Sequence, residues 1–486
     1  MQNEAIKPWA HQLDYAVSHA LDRQHILLWE PRVGKSLAIA MGFERWFAET
    51  PVRRIVVVAP KTVCESVWPG VLEAIPGRCE AARGFEVINL YSGTLESRKD
   101  ALRALFGHEN PQVALVNREA LEPLEPTIIK WKPLGLVLDE LHDYKTPSAA
   151  RSHAAYRISR LCYFRRGLTG TPVPNGFRDL YGQWKIIAPA IFGTNRAKFD
   201  ERYVIFNRFN PHLIQEFQNL DELRSKAFSI ASIVFRKDCF DIPDEQDIDR
   251  VLELPANVRK MYDKIIREHV LALETSNEPI PLRHTLSRLG VLRQLATGYV
   301  RLGTEEDGDK RVQWEHTVKL DSVRDEAIDI LESGQKVVIF HVNMPEGDEI
   351  ARMLKAYHPL LLRGTTEGRT RAENLERFAT NENYPLIIVQ EQVGSLGISL
   401  AAAQYTIFLS TGYGHDTHKQ ARDRTFKPAS PGNKTKLVYI YPTMGKTVDV
   451  FVRRLLINKN ITEQTLLKGG VQQRTKAFTL AAYGEL

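Results

Sequence analysis

Five short apolar runs dominate the first part of the chain: "HILLWE" (25–30), "RIVVVAP" (54–60), "FEVINLY" (85–91), "QVALVN" (112–117) and "LGLVLDE" (134–140). They are continuous rather than alternating, which is the pattern of a strand buried on both faces. Such strands belong in parallel sheets covered by helices. Segments of helical spacing, "SLAIAMGFERWFAET" (36–50) and "SVWPGVLEAI" (66–75), lie between some of them. A second set, "KVVIFHV" (336–342), "PLLLRG" (359–364), "PLIIVQ" (385–390), "YTIFLS" (405–410) and "KLVYIYP" (436–442), repeats the pattern. Between its members stand "GDEIARMLKAY" and "RTRAENLERFA". Met twice, this grammar predicts an α/β protein with two lobes in tandem.

Between the two sets, over 176–318, the sequence changes character. It becomes helix-rich, with Arg, Phe and Tyr interleaved, as in "FNRFNPHLIQEFQNLDELRSKAF" and "RHTLSRLGVLRQLATGYVR". The polar patch "GTEEDGDK" (303–310) reads as a loop leading to the second lobe. The predicted division is 1–185 for the first lobe, 186–318 for a helical insertion and linker, and 319–486 for the second lobe. A length of 486 residues suits two to four cores.

Four cysteines, Cys64, Cys79, Cys162 and Cys239, stand singly, and the histidines show no ligand-like spacing. Neither a zinc site nor a disulfide framework is expected, and a reducing, cytoplasmic compartment fits. No apolar run approaches the length of a membrane span, and the start of the sequence lacks an apolar signal core. A net charge of +6 permits a polyanionic partner without demanding one.

Two stretches carry the Gly-Lys-Ser/Thr ending of a phosphate loop. The first, "WEPRVGKSLA" (29–38), follows a strand-like run and opens a helix-like one, so its amides and helix N-terminus point toward an anion. Gly34, Lys35 and Ser36 are the expected contacts, Lys35 for the β/γ-phosphates and Ser36 for Mg²⁺. A glycine five positions before Gly34 is missing, because Trp29 stands there; Pro31 and Arg32 then need a loop shape without positive φ. An acidic strand end completes such a site, and "LGLVLDELH" supplies it. Asp139 is expected to hold Mg²⁺ through water and Glu140 to act as general base. The second stretch, Gly445-Lys446-Thr447, has no acidic strand end after it and reads as a turn and helix start.

With these residues in place the chain resembles the superfamily 2 helicase-type ATPases. "GLTGTPVPNGFRDLYGQWKIIAP" (167–189) is similar to the corresponding segment of the Snf2-like DNA translocases. "VVVAPKTVCESVW" and "ALVNREAL" resemble neighbouring motifs of the first lobe, and "DYKTPSAARS" resembles the segment after the acidic box more loosely. In the second lobe, "KVVIFHVNM" resembles motif IV, "LLLRGTTEGRTRAENLERFA" the turn and helix after it, "VQEQVGSLGISLAAAQYTIFLS" motif V, and "HKQARDRTFKP" motif VI. The likeness runs from "PWAHQLDYA" to "TVDVFVRRLLINK".

The resemblance implies two RecA-like lobes that close on ATP and Mg²⁺. It implies His11 and Gln12 as an adenine-sensing pair, Gly397 and Gln420 as further nucleotide contacts, and Arg424 as stabiliser of transition-state charge. The last arginine of motif VI falls on Lys427, and lysine cannot form arginine's bidentate fork; Arg422 is an alternative donor. His142 is implied as the coupling residue of the acidic box, and Thr169 and Thr171 as a relay to the nucleic acid; as bare residues the threonines could equally cap a helix. Arg283, Arg288, Arg293 and Arg301 are candidate phosphate contacts or an ordinary solvated face, while Trp68, Trp131 and Trp184 are expected in the core.

The expected activity is a DNA-dependent ATPase: a monomeric motor on duplex or branched DNA, gripping the backbone, with no membrane partner. Compactness resembles bacterial and bacteriophage versions of such motors. Two other readings stand beside it, a strand-separating DNA or RNA helicase and a nucleotide-gated DNA-binding module with weak turnover.

Overall fold

A computed structural model describes residues 8–73, 85–208, 214–275, 282–302, 311–394, 398–426 and 436–468. They divide into two compact units, one running to Asp241 and rejoined by the chain from Ile461, the other spanning Ile242–Asn460. Among the described residues no helix is long and apolar enough to cross a membrane.

The first unit is built on β1 (Gln24–Trp29), β2 (Arg54–Ala59), β3 (Glu86–Asn89), β4 (Gln112–Asn117), β5 (Gly135–Asp139) and β6 (Phe164–Leu168). A small antiparallel hairpin, β7 (Val204–Phe206) and β8 (Ile214–Phe217), lies outside the sheet, and β9 (Ala231–Val234) completes it. The order is β3-β4-β2-β5-β6-β1-β9, parallel at every pairing. The apolar runs become β1 to β5 as expected. Val56, Val58, Leu136 and Leu138 join one helix-covered core, and Ile55, Val57 and Val137 the core on the opposite face. This is the double burial that continuous strands require.

The second unit holds β10 (Asp244–Leu252), the hairpin β11 (Tyr299–Leu302) with β12 (Arg311–Trp314), then β13 (Val337–His341), β14 (Leu360–Leu362), β15 (Leu386–Gln390), β16 (Tyr405–Phe408) and β17 (Lys436–Met444). Its sheet, ordered β10-β17-β16-β13-β15-β14, is also parallel throughout. An α/β fold of two parallel sheets in tandem is therefore observed.

The stretch 186–318 is not a separate insertion. It is shared out, with β9 on the edge of the first sheet and β10 on the edge of the second. Neither strand is fully buried, and β9 is only half-buried along its length. An edge strand is paired along one side only, and β10, "DEQDIDRVL", is largely exposed. Arg422 and Arg453 hold it: Arg422 reaches Asp247 and Glu245 at 2.9 Å, and Arg453 reaches Asp247 and Asp249 at 2.8 Å. Central β6 was also hidden, because its sequence "FRRGL" puts two arginines in a buried strand. Arg166 is fully buried there, donating to Tyr15 Oη at 2.7 Å and to the carbonyls of Ala20 at 2.7 Å and Asp22 at 2.6 Å. The patch 303–310 lies outside the described residues.

Candidate functional site

In a parallel sheet every strand ends at the same edge, and ligands gather there. The adjacent strands β1, β6 and β5 bring three segments to that edge: the loop Glu30–Gly34, the Thr169-Gly170-Thr171 turn, and Asp139-Glu140. Residues far apart in sequence are thus assembled by topology alone.

Trp29 is the last residue of β1, and α2 (Lys35–Glu49) starts directly after the loop. The Trp29 ring is buried, donates to Ser232 Oγ at 2.9 Å and meets His11 edge-on at 5.0 Å. A glycine there would leave a hole in the core. The loop therefore turns without that glycine, but the expected avoidance of positive φ does not hold. Arg32 sits at φ 68° and Gly34 at φ 75°. For Arg32 that conformation costs about 1–2 kcal/mol, which the packed loop must offset.

Gly34 has a second reason to be glycine: a Cβ there would lie 2.0 Å from Gln12 Nε2. Gln12 is buried in α1 (Ala10–Asp14). It donates from Nε2 to the Gly34 carbonyl at 3.0 Å and accepts from the Trp9 amide at 2.8 Å. His11 Nε2 lies 2.8 Å from the Val33 carbonyl. The pair expected to sense adenine is thus also a brace beneath the loop. Lys35 Nζ donates to the carbonyls of Trp29 at 3.0 Å and Glu30 at 3.1 Å, and Ser36 stands half-buried in the first turn of α2.

At the end of β5 the Asp139 carboxylate is buried. Oδ1 accepts from the Glu140 amide at 3.0 Å and Oδ2 from Trp68 Nε1 at 3.1 Å. Burial, then the neighbouring Glu140 carboxylate, push Asp139 up to about 6, while the Lys35 ammonium pulls the other way. The amine that opens α2 and the carboxylate that ends β5 thus lie at the same edge of the sheet. Trp68, expected only as core, is core and also fixes a catalytic candidate. Nothing in "ESVWPG" signals this second role. Glu140 adopts φ 56°, which swings its side chain out of the strand line toward His142, with Oε2 3.3 Å from Nδ1.

His142 is buried, and its Nδ1 lies 3.1 Å from Thr169 Oγ1 and 3.3 Å from Thr171 Oγ1. Thr169 Oγ1 also accepts from the Thr171 amide at 3.0 Å. Gly170 packs on the phosphate loop, for a Cβ there would lie 2.8 Å from Pro31 Cδ. The threonines therefore connect the acidic box to the loop and do not cap the next helix, which begins at Asp179.

In the second unit, the helix His415–Thr425 carries Gln420 and Arg424 one turn apart on one face, both half-buried. Its other face is structural. His418 Nδ1 is 3.1 Å from Glu391 and its Nε2 3.2 Å from Tyr441 Oη. Arg422 lies over the Tyr439 ring at 3.9 Å with its donors on the β10 carboxylates. Arg422 thus holds the edge strand β10 in place. Gly397 and Lys427 lie outside the described residues, as do the side chains of Arg283 and Arg288. Arg293 sits over the Tyr413 ring at 5.4 Å, a packed position, and Arg301 is exposed. Trp131 and Trp184 are fully buried.

The second Gly-Lys-Thr forms the expected turn before the helix Val448–Lys468. Its carbonyls are engaged: Arg259 donates to those of Gly445 and Lys446 at 2.7 Å, and Thr447 Oγ1 donates to Met444 at 2.6 Å.

The donor set of the first unit fits a hard divalent cation. The Asp139 carboxyl, raised by burial and by the neighbouring Glu140 carboxylate, offers oxygen donors, and Ser36 offers a hydroxyl at the helix start. Ser36 and Asp139 would hold Mg²⁺.

Residues 319–428 match the model of the helicase conserved C-terminal domain. The chain is similar to the protein CHROMATIN REMODELING 24 of Arabidopsis thaliana, 20% identical over 90% of this chain and 43% of that protein. It is also similar to the bifunctional helicase and thymine dioxygenase JBP2 of Trypanosoma brucei brucei, 24% identical over 88% of this chain and 43% of that protein. The chain thus spans under half the length of these relatives. Among solved structures, the Sulfolobus solfataricus SWI2/SNF2 ATPase core in complex with dsDNA is 17% identical, covering 96% of this chain and 94% of that one with a TM-score of 0.42.

Proposed function

We infer that this chain, an Snf2-like protein of the superfamily 2 helicase type, hydrolyses ATP and uses the energy to move along DNA. One observation carries the reading: Lys35, opening α2 just after β1, and the buried Asp139, ending β5, stand at the same edge of one parallel sheet in which only β6 separates their strands. A lysine beside a glycine-turned loop neutralises phosphate, and a buried carboxylate beside it binds the accompanying cation.

Mg²⁺, when bound, neutralises charge on the β- and γ-phosphates. The protein's own groups do the rest. Loop amides and Lys35 grip phosphate oxygens, exchanging the Trp29 and Glu30 carbonyls for them. Glu140, turned out of its strand, takes the proton of the attacking water at its carboxylate, with His142 beside it to orient it. The His142–Thr169–Thr171 bonds then report the state of the acidic box to the turn after β6. Arg424 is assigned charge stabilisation on the γ-phosphate. The Snf2-like Leu-Thr-Gly-Thr-Pro segment at 168–172 supports duplex tracking over strand separation.

The test is phosphate release with single-stranded, duplex and forked DNA and with RNA, for the natural chain, Lys35→Ala and Glu140→Gln. Duplex-stimulated release that both substitutions abolish supports the motor. Stimulation by no polymer, or undiminished release in Lys35→Ala, refutes it. Triplex displacement without duplex unwinding separates a translocase from a helicase.

A further inference from the structure

At the far end of β1 from the phosphate loop, three side chains outside the proposed chemistry converge. His19 ends the helical segment after α1, Asp22 lies in the turn, and His25 is the second residue of β1. Among the described residues this is the one group of three His, Cys, Asp or Glu donors whose ligand atoms all lie within 4.8 Å of one another. Asp22 Oδ2 is 2.9 Å from His19 Nδ1 and 3.5 Å from His25 Nδ1.

Those separations have a physical meaning. With bonds of about 2.0–2.1 Å, a tetrahedral ion spaces its ligand atoms about 3.3 Å apart. The two separations from Asp22, 2.9 and 3.5 Å, bracket that value, and the two histidine nitrogens lie within 4.8 Å of one another. Two imidazoles and one carboxylate are also the donor types that zinc-class ions select over Mg²⁺ or Ca²⁺.

The surroundings agree. His25 is buried, with its Nδ1 turned toward the Asp22 carboxylate. Its second nitrogen, Nε2, lies 3.0 Å from Ser232 Oγ, the kind of outer hydrogen bond that orients a metal-bound imidazole. Arg166 stands nearby but donates to the Asp22 main-chain carbonyl at 2.6 Å, which leaves the carboxylate to the histidines. Asp22 is exposed and His19 partly exposed, which leaves an ion a way in from the outer side.

We propose that His19 Nδ1, Asp22 Oδ2 and His25 Nδ1 form a binding site for a zinc-class divalent ion, with water as the fourth ligand. The site would clamp the segment 9–22 onto β1. That segment carries His11 and Gln12, the brace under Val33 and Gly34, so the ion would stiffen the loop from behind.

The test uses untagged, chelator-stripped, full-length protein titrated with Co²⁺, read by visible d–d absorption, and with Zn²⁺, read by calorimetry and thermal melting. His19→Ala and Asp22→Asn alter exposed side chains and retain the fold by circular dichroism. The expected result is one equivalent bound with tetrahedral Co²⁺ intensity and a Zn²⁺-raised melting temperature. Both variants should bind roughly tenfold more weakly or worse. Absence of a saturable Co²⁺ spectrum, or affinity in both variants equal to that of the natural protein, overturns the proposal. Asp139→Asn should leave the spectrum unchanged, so that this site and the ATP site succeed or fail separately.

Discussion

Replacing Asp139 by asparagine tests the electrostatics of the candidate site without relying on turnover. Asp139 is buried and stands at about 6 against an ordinary 3.8. A carboxyl raised in the folded state stabilises the protein fully below its unfolded value, and that contribution is lost as pH rises through the folded value. Ionising it at neutral pH therefore costs about 3 kcal/mol, from a shift of roughly two units at 1.36 kcal/mol each. Asparagine carries no charge and escapes this cost. It also has one acceptor oxygen where Asp139 uses two, so either Trp68 Nε1 or the Glu140 amide loses its partner. That loss is worth about 1–3 kcal/mol, comparable in size, so stability at a single pH decides nothing. The pH dependence does. Between pH 7.5 and 4.5 the natural protein should gain about 2 kcal/mol relative to Asp139→Asn, because only its carboxyl takes up a proton in that window. Urea melts of both proteins at the two pH values measure it. A difference constant to within about 0.5 kcal/mol would refute the buried, raised carboxylate. Saturating Mg²⁺–nucleotide should flatten the pH dependence, since a bound cation supplies counter-charge.

Gly34→Ala forces a side chain onto φ 75° and into Gln12, so nucleotide affinity should fall tenfold or more in a fluorescent-nucleotide titration, with the melting temperature lowered by a few degrees. Thr169→Val removes the hydroxyl shared by His142 and the Thr171 amide; urea melts should show a loss of about 1–3 kcal/mol, while nucleotide affinity holds. Arg422→Ala should release the β10 edge, seen as lost hydrogen-exchange protection over Glu245–Asp249, where a true catalytic arginine would leave exchange untouched.

Each of the ten apolar runs contains a strand, and in central ones such as β2, β4 and β5 burial on both faces demands apolar residues throughout, a pattern that is local. The same holds for Gly34-Lys35-Ser36 and Asp139-Glu140, which stand at ends of such strands and are legible by position. Edge strands β9 and β10 and the arginine-bearing β6 left no such trace: their stability comes from partners far along the chain. The positive φ at Arg32, Trp68 bonding Asp139, and Arg422 holding β10 are likewise facts of three-dimensional neighbourhood. Hydrophobic periodicity records which faces are buried. Which charge meets which is settled only when the sheet order β5-β6-β1 brings Lys35, Thr169 and Asp139 to one edge, because Coulomb energy depends on distance through space and not along the sequence.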